Sequence, residues 1–502
     1  MTQYLLGLDI GSSSIKASLV NASTGGAVAT AQSPSEEMPM IAVNPGWAEQ
    51  DPDMWWNHAV ICIQSLVKKS GIDPKGIEAI GISYQMHGLV VVDKNLKPLR
   101  PSIIWCDSRA VPFGDAANKA LGESYCLEHF LNSPGNFTAA KLKWVQTNEP
   151  KLYESIHKFM LPGDYITLKL SGEIVTTDSS LSEGIFWDYK TKSVSEKLLS
   201  YYGFSKSLVP ELKPVFSVHA QIRKDVAAEL GLSPNVRISY TSGDQPNNAF
   251  SLNVLNAGET AATAGTSGVI YSVTDKNAFD AKSRVNTFVH VNNTADKISN
   301  GVLLCINGTG ILNSWLRKNT KSTSEAYPYE AMNAMAARVP IGAEGLSVLP
   351  FGNGAERILE NREIGATFQG LNFNRHGQQH IFRAAQEGIV FSLRYGFDIL
   401  QKMGLKTNVI RAGNANMFLS PLFREAFVNT IGSPLELYNT DGATGAAIGA
   451  GVGAGLFADF KDAFKGLKVI GNENPDSNKI EKYQAAYEGW KRKLEAQLSI
   501  QQ

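Results

Sequence analysis

Apolar and polar positions alternate most regularly at the start of the chain. Leu5, Leu6, Leu8 and Ile10 form one apolar run, and in the next Ile15, Ala17 and Leu19 alternate with Lys16 and Ser18. That is close to strand period, so the pattern predicts a hairpin turning at Gly11-Ser12-Ser13-Ser14. The same grammar returns at mid-chain. A strand of small residues, Thr260 to Ala264, meets the turn Gly265-Thr266-Ser267-Gly268 and then the β-branched run Val269 to Val273. Two such hairpins, one per half, predict an internal structural duplication.

Short apolar runs at 77–83, 101–105, 236–239, 346–351 and 409–412 predict further strands. Helical period is clearest over 382–403, where Phe382, Ala385, Ile389, Leu393, Phe397 and Leu400 recur at spacings of three and four. Asp53 is placed to cap a helix carrying Trp56, Ile63 and Val67. Further helices are predicted over 138–146 and from Pro162 to a stop at Gly172. Thr176 to Ser180 reads as a polar loop. The Gly- and Ala-rich stretch 442–455 suits a helix packed closely against something, either a nucleotide pocket or a tight core. Ile480, Tyr483, Tyr487, Trp490 and Leu494 stripe a C-terminal helix, which reads as docking surface. The halves divide near Ala249, giving expected domains 1–248 and 249–502.

Composition narrows the class. A chain of 502 residues is too long for one core. Apolar content of 43% with 19% charge describes a folded globular chain rather than a disordered one. Lys+Arg and Asp+Glu balance at 47 each, so no broad basic field exists for nucleic acid. Cys62, Cys106, Cys126 and Cys305 are scattered without metal spacing and read as free thiols. No apolar run reaches the roughly 20 residues that span a bilayer, and the N-terminus lacks a secretory pattern. A cytoplasmic enzyme acting on small molecules, without nucleic-acid or membrane partners, is the expectation.

The candidate chemistry sits at the tips and strand ends. Small residues let the backbone approach a phosphate, and convergent N–H groups bind its oxygens. Asp9, beside the first tip, would repel phosphate, so it makes sense with a cation between them, most simply Mg²⁺. Asp244 follows Gly243 and precedes a predicted helix start. It reads either as an N-cap or as a carboxylate projecting into a cleft, where it could accept a hydroxyl proton. Gln85, Met86 and His87 stand just past a strand end, where ligands bind in open α/β sheets. Asp107 and Arg109, two apart on an extended segment, share a face. They are either a local ion pair or a hydroxyl-recognition pair.

Several pieces together resemble the FGGY sugar kinases: Asp9-x-Gly11 with Ser12 to Lys16, Gln85-Met86-His87-Gly88, Trp105-x-Asp107-x-Arg109, Phe137 to Trp144, Leu161-Pro162-Gly163-Asp164-Tyr165, Ser242-Gly243-Asp244-Gln245 and the Gly265-Thr266-Ser267 tip. Their order and spacing run along most of the chain. The resemblance implies an α/β fold of two duplicated actin/Hsp70-like (ribonuclease H-like) domains with a cleft between them. It implies ATP and Mg²⁺, and phosphorylation of a ketose, D-xylulose first. Asp244 would be the base and Asp9 the metal-organising group. Met86, His87, Trp105, Asp107, Arg109 and Gln245 would bind sugar. Gly11, Ser12, Ser13, Lys16, Gly265, Thr266, Ser267, Gly308, Gly413 and Asn414 would bind nucleotide. A homodimer is compatible with it, as are another sugar or polyol as substrate and a non-catalytic actin-like sensor of sugar and nucleotide. Two departures stand out: Ala412-Gly413-Asn414-Ala415 replaces the usual Gly-Gly-Gly-Ala adenosine loop, and Gln245 follows the candidate base where xylulose-phosphorylating members often have Asn.

Overall fold

A computed structural model describes residues 2–320 and 326–500. In the first half, β1 (Tyr4–Ile10), β2 (Ile15–Asn21) and β3 (Ala27–Ser33) run antiparallel. On the other side of β1 lie β4 (Ile77–Tyr84) and β6 (Arg237–Gly243), parallel to it, with the short β5 (Ala220–Gln221) at the edge. The sheet order is β5-β6-β4-β1-β2-β3. In the second half, β7 (Glu259–Ala264), β8 (Gly268–Thr274) and β10 (Asn300–Ile306) are antiparallel. Parallel to β7 run β11 (Val409–Gly413) and β12 (Leu435–Tyr438), with β9 (Asn286–Val289) and β13 (Val469–Glu473) at the edges. That order is β9-β10-β8-β7-β11-β12-β13. Three parallel strands followed by two antiparallel ones therefore recur in both sheets, which is the expected duplication.

The first half also carries α1 (Pro52–Ser70), α2 (Thr138–Asn148), α3 (Pro162–Ser171), α4 (Asp178–Glu183) and α5 (Asp244–Ser251). The second adds α6 (Gly310–Asn319), α7 (Tyr329–Ala336), α8 (Gln378–Lys402), α9 (Pro421–Ile431), α10 (Gly442–Gly453) and α11 (Ser477–Ile500). Two local expectations shift. The α1 cap is Asp51, not Asp53: its carboxylate accepts from the Asp53 amide, and Pro52, which has no N–H to leave unsatisfied, occupies the first helical position. The polar stretch 176–180 is not all loop, because Thr177 caps α4 and its serines fill the first turn.

The two sheets are tied together by α10. This helix lies on β1, β4, β6 and β2, so a segment late in the chain covers a face of the first sheet. Gly81 makes the approach possible: a Cβ there would stand 2.0 Å from the Ala446 carbonyl oxygen. Leu6, Leu8 and Ile10 point to the opposite face, where they pack with Trp55, Ile63 and Leu66 of α1. A second tie is the edge strand β9. Its Thr287 N–H and carbonyl both bond the buried Asn132 amide, at 3.0 and 2.7 Å. The Val289 amide donates to Ser182 of α4, and the Val289 carbonyl accepts from Ser179. All four cysteines are free. Among the described residues no helix is long and apolar enough to cross a membrane.

Candidate active site

The first tip is held from below. Gln50, buried, donates to the Ser12 carbonyl at 2.7 Å and accepts from Trp55 Nε1 at 3.0 Å. Gln85 turns toward Gln50 rather than toward open space, and its amide donates to the Ile10 carbonyl. Trp105, half exposed, donates to Ser12 Oγ at 3.3 Å, which brings a flat aromatic face beside the tip. Ser13 is exposed and its carbonyl accepts from Met38. Asp9 is the last but one residue of β1 and pairs across the hairpin with Lys16. Its Oδ1 accepts from Ser83 at 2.9 Å, and its other oxygen faces Gly442 at the start of α10. Burial raises its pKa, opposed by the Ser83 hydrogen bond and the Lys16 charge.

The second tip opens a cavity of about 820 Å³. Gly265 and Thr266 form its rim, and their carbonyls accept from the Gly310 and Ile311 amides at the start of α6. The far walls come from α7, through Tyr329 and Asn333, and from the approach to α9, through Asn416, Met417 and Leu422. Size and mixed lining suit a nucleotide. Ser267 is a hydrogen-bond partner of the Cys305 thiol. Gly413 and Asn414 stand at the end of β11 outside this lining; the chain dips into the cavity two residues later, at Asn416, which adopts a left-handed backbone. Gly308 departs from expectation. Its amide and that of Asn307 already donate to the buried Glu356 carboxylate, at 3.2 and 3.0 Å, so no phosphate is needed to satisfy it. Burial pushes Glu356 up to about 7.

Asp244 is the first residue of α5, only partly buried, and lies within the field of Asp9 beside the first tip. Gly243 before it packs against Met86 and the Glu183 carboxylate, so the sugar candidates and the carboxylate share one wall. Burial, then the Asp9 charge, pushes the Asp244 carboxyl up to about 7. Gln245 hydrogen-bonds the same carboxylate. His87 has a left-handed backbone (φ 62°), an unfavourable state for a non-glycine residue that tends to occur at functional sites. Its Nδ1 lies 3.0 Å from the Glu183 carbonyl, which can only accept, so Nδ1 carries the proton and Nε2 is a bare acceptor. Burial, helped by the Lys141 and Arg357 charges, lowers its pKa to about 3, so the ring stays neutral.

Glu183 was invisible in the sequence. It closes α4 inside a serine-rich stretch, far in the chain from every residue it meets. Its Oε1 accepts from Tyr84 at 2.5 Å, and burial raises its pKa well above the carboxylate range. Lys141 is likewise internal: its ammonium donates to the His87 and Ile104 carbonyls, and burial lowers its pKa to about 7.

Asp107 and Arg109 resolve as a buried ion pair, not as a pair presented to the cleft. Asp107 has no exposed surface; its oxygens accept from the Ala48 amide and from Arg109 N and Nε, with Arg109 Nη2 2.7 Å away in an ion pair. Arg109 also pairs with Glu49 and lies 3.7 Å over the Trp47 ring. Three donors and an ion-pair contact occupy the carboxylate, which leaves little for a sugar hydroxyl. The extended i, i+2 spacing predicts the shared face correctly but cannot say that the face is interior.

Two sheets that each repeat three parallel strands followed by two antiparallel ones define the actin-like fold class. The family model for the FGGY family of carbohydrate kinases, N-terminal domain, matches residues 4–251, and that for the C-terminal domain matches 260–454. The chain belongs to this family and is an ATP-dependent sugar kinase. It is 28% identical to xylulose kinase of Bacillus subtilis (strain 168) over 499 residues, 97% of this chain and 96% of that protein. The structure of a xyloylose kinase from Brucella ovis matches with TM-score 0.89 at 24% identity, covering 99% of this chain and 100% of that one. Gluconate kinase from Lactobacillus acidophilus matches with TM-score 0.88 at 23% identity, covering 99% of each.

Proposed function

We propose that the protein phosphorylates a ketose, D-xylulose first, with the sugar held by the first half and ATP by the second. The observation that carries this is the placement of Asp244. A half-buried carboxylate opens a helix at the cleft, with Met86 against the glycine before it and Asp9 close enough to raise its pKa. In this reading the ionised Asp244 takes the proton of a primary hydroxyl. That oxygen attacks the γ-phosphorus, the P–O bond to the β-phosphate breaks, and ADP leaves. Sugar hydroxyls would donate to His87 Nε2 and pack on Met86 and Trp105. Gly265, Thr266 and the 820 Å³ cavity would take the nucleotide, with Gly11, Ser12 and Lys16 facing the transferring phosphate.

The donor set at Asp9 fits Mg²⁺ carried in with the nucleotide. One carboxylate is steered by Ser83, with the Asp441 and Asp244 charges nearby. Magnesium would neutralise phosphate charge there, and Asp9 would orient it.

The xylulose kinase relatives support the substrate choice. Gln245 and the gluconate kinase likeness favour a second sugar as the alternative. An ADP-release assay over D-xylulose, ribulose, gluconate and glycerol tests the reading: turnover on D-xylulose well above the others is expected, and turnover confined to another acceptor rejects it. A protein that binds both ligands without releasing ADP would be a sensor instead.

A further inference from the structure

The loop between Gly352 and Arg357 belongs to the second half, yet its last side chain reaches the sugar residues of the first. The Arg357 guanidinium lies 6.0 Å from the centre of the Phe137 ring, which itself packs edge-on to His87 at 4.9 Å. Its hydrogen bond is to the Ser283 carbonyl, at 3.3 Å. Among the described residues it has no carboxylate partner. Glu356, next in the chain, is turned away into the Asn307 and Gly308 amides. The guanidinium is only partly exposed, and partial burial lowers the Arg357 pKa. Most of the five N–H groups of this partly exposed guanidinium are unclaimed by the protein, so its fork is free to donate to a ligand. Its field falls on His87 and Cys305, whereas Asp9 is surrounded by Lys16 and Asp441. This puts it at the sugar end of the cleft rather than the phosphoryl end.

We infer that Arg357 is a specificity-determining residue, reading the carbonyl end of the sugar, opposite the hydroxyl served by Asp244. Its planar fork matches two oxygens on adjacent carbons, such as a ketone and its neighbouring hydroxyl, or the two oxygens of a carboxylate. A polyol offers no such planar acceptor. The second half thereby contributes to sugar selection, and the sugar site is complete only when the halves are together. This rests on the sugar-kinase reading above.

The test is steady-state kinetics of the full-length wild type, Arg357→Gln and Arg357→Lys on D-xylulose, gluconate, xylitol and glycerol. Binding of a non-hydrolysable ATP analogue is measured in parallel. The wild type should prefer the carbonyl- or carboxylate-bearing acceptors over the polyols. Arg357→Gln should raise KM for the preferred sugar about ten- to a hundredfold, the scale of a charged hydrogen bond. It should also erase most of the preference, leaving ATP-analogue affinity and Tm unchanged. Arg357→Lys, which keeps charge without the fork, should recover only part. An equal loss of kcat on every acceptor overturns the proposal, as does a preference that survives in Arg357→Gln, or a joint fall in Tm and analogue binding. A wild type that uses gluconate but not xylulose defeats the substrate choice while leaving the Arg357 result standing. One that favours polyols defeats both.

Discussion

Under the proposed function, Asp244 would concentrate the chemistry on a single ionisation. Its folded pKa, about 7, exceeds the ordinary 3.8, so a proton is bound more tightly in the folded state. Stability from that proton is full below the unfolded value and is lost as pH rises through 7. Asp244→Asn should therefore have a higher Tm than wild type at pH 8, with the gap closing toward pH 5, as scanning calorimetry would show. Its turnover should fall about 10²–10⁴-fold if the side chain is the base; a variant retaining full turnover removes Asp244 from the mechanism. A base must be ionised, so wild-type kcat/KM should climb about tenfold per pH unit below neutrality and level above it. A flat profile from pH 5 to 8 would contradict this. At this scale the sequence was uneven. A Gly-Asp at a helix start is a local signal, so Asp244 was legible. Glu183 and Asp107 were not, because the burial that defines them comes from residues dozens of positions away.

Elements with small-residue turns were the most legible, since a hairpin tip is written in a dozen consecutive residues. The 442–455 stretch was legible by half. Its glycines and alanines announced close packing, but the partner turned out to be the sheet of the other half, and no local pattern names a partner. The closeness is testable. A methyl on Gly81 meets backbone at 2.0 Å, whereas one on Gly26 meets only the Thr24 hydroxyl at 3.5 Å. Gly81→Ala should lose stability by about 1–3 kcal/mol or more through overpacking, while Gly26→Ala should stay near wild type by urea unfolding. Equal midpoints would mean that the helix can shift away freely.

At the scale of the molecule, the duplication was readable because the same hairpin grammar appears twice, whereas the ties between the halves were not. Asn132 shows why: it lies in a stretch with no pattern of its own, yet its amide bonds both the N–H and the carbonyl of Thr287. Asn132→Ala should cost about 2–4 kcal/mol, because two buried backbone groups lose their partners, and should raise KM for both substrates. Unchanged unfolding and kinetics would show that the halves are held elsewhere. The path of α10 has a consequence for biosynthesis. Residues 4–251 emerge from the ribosome about 190 residues (442 minus 251) before the helix that roofs their sheet. At roughly 5–20 residues per second, the nascent first half waits some 10–40 s with one apolar face bare. During that interval it is a natural client for chaperones.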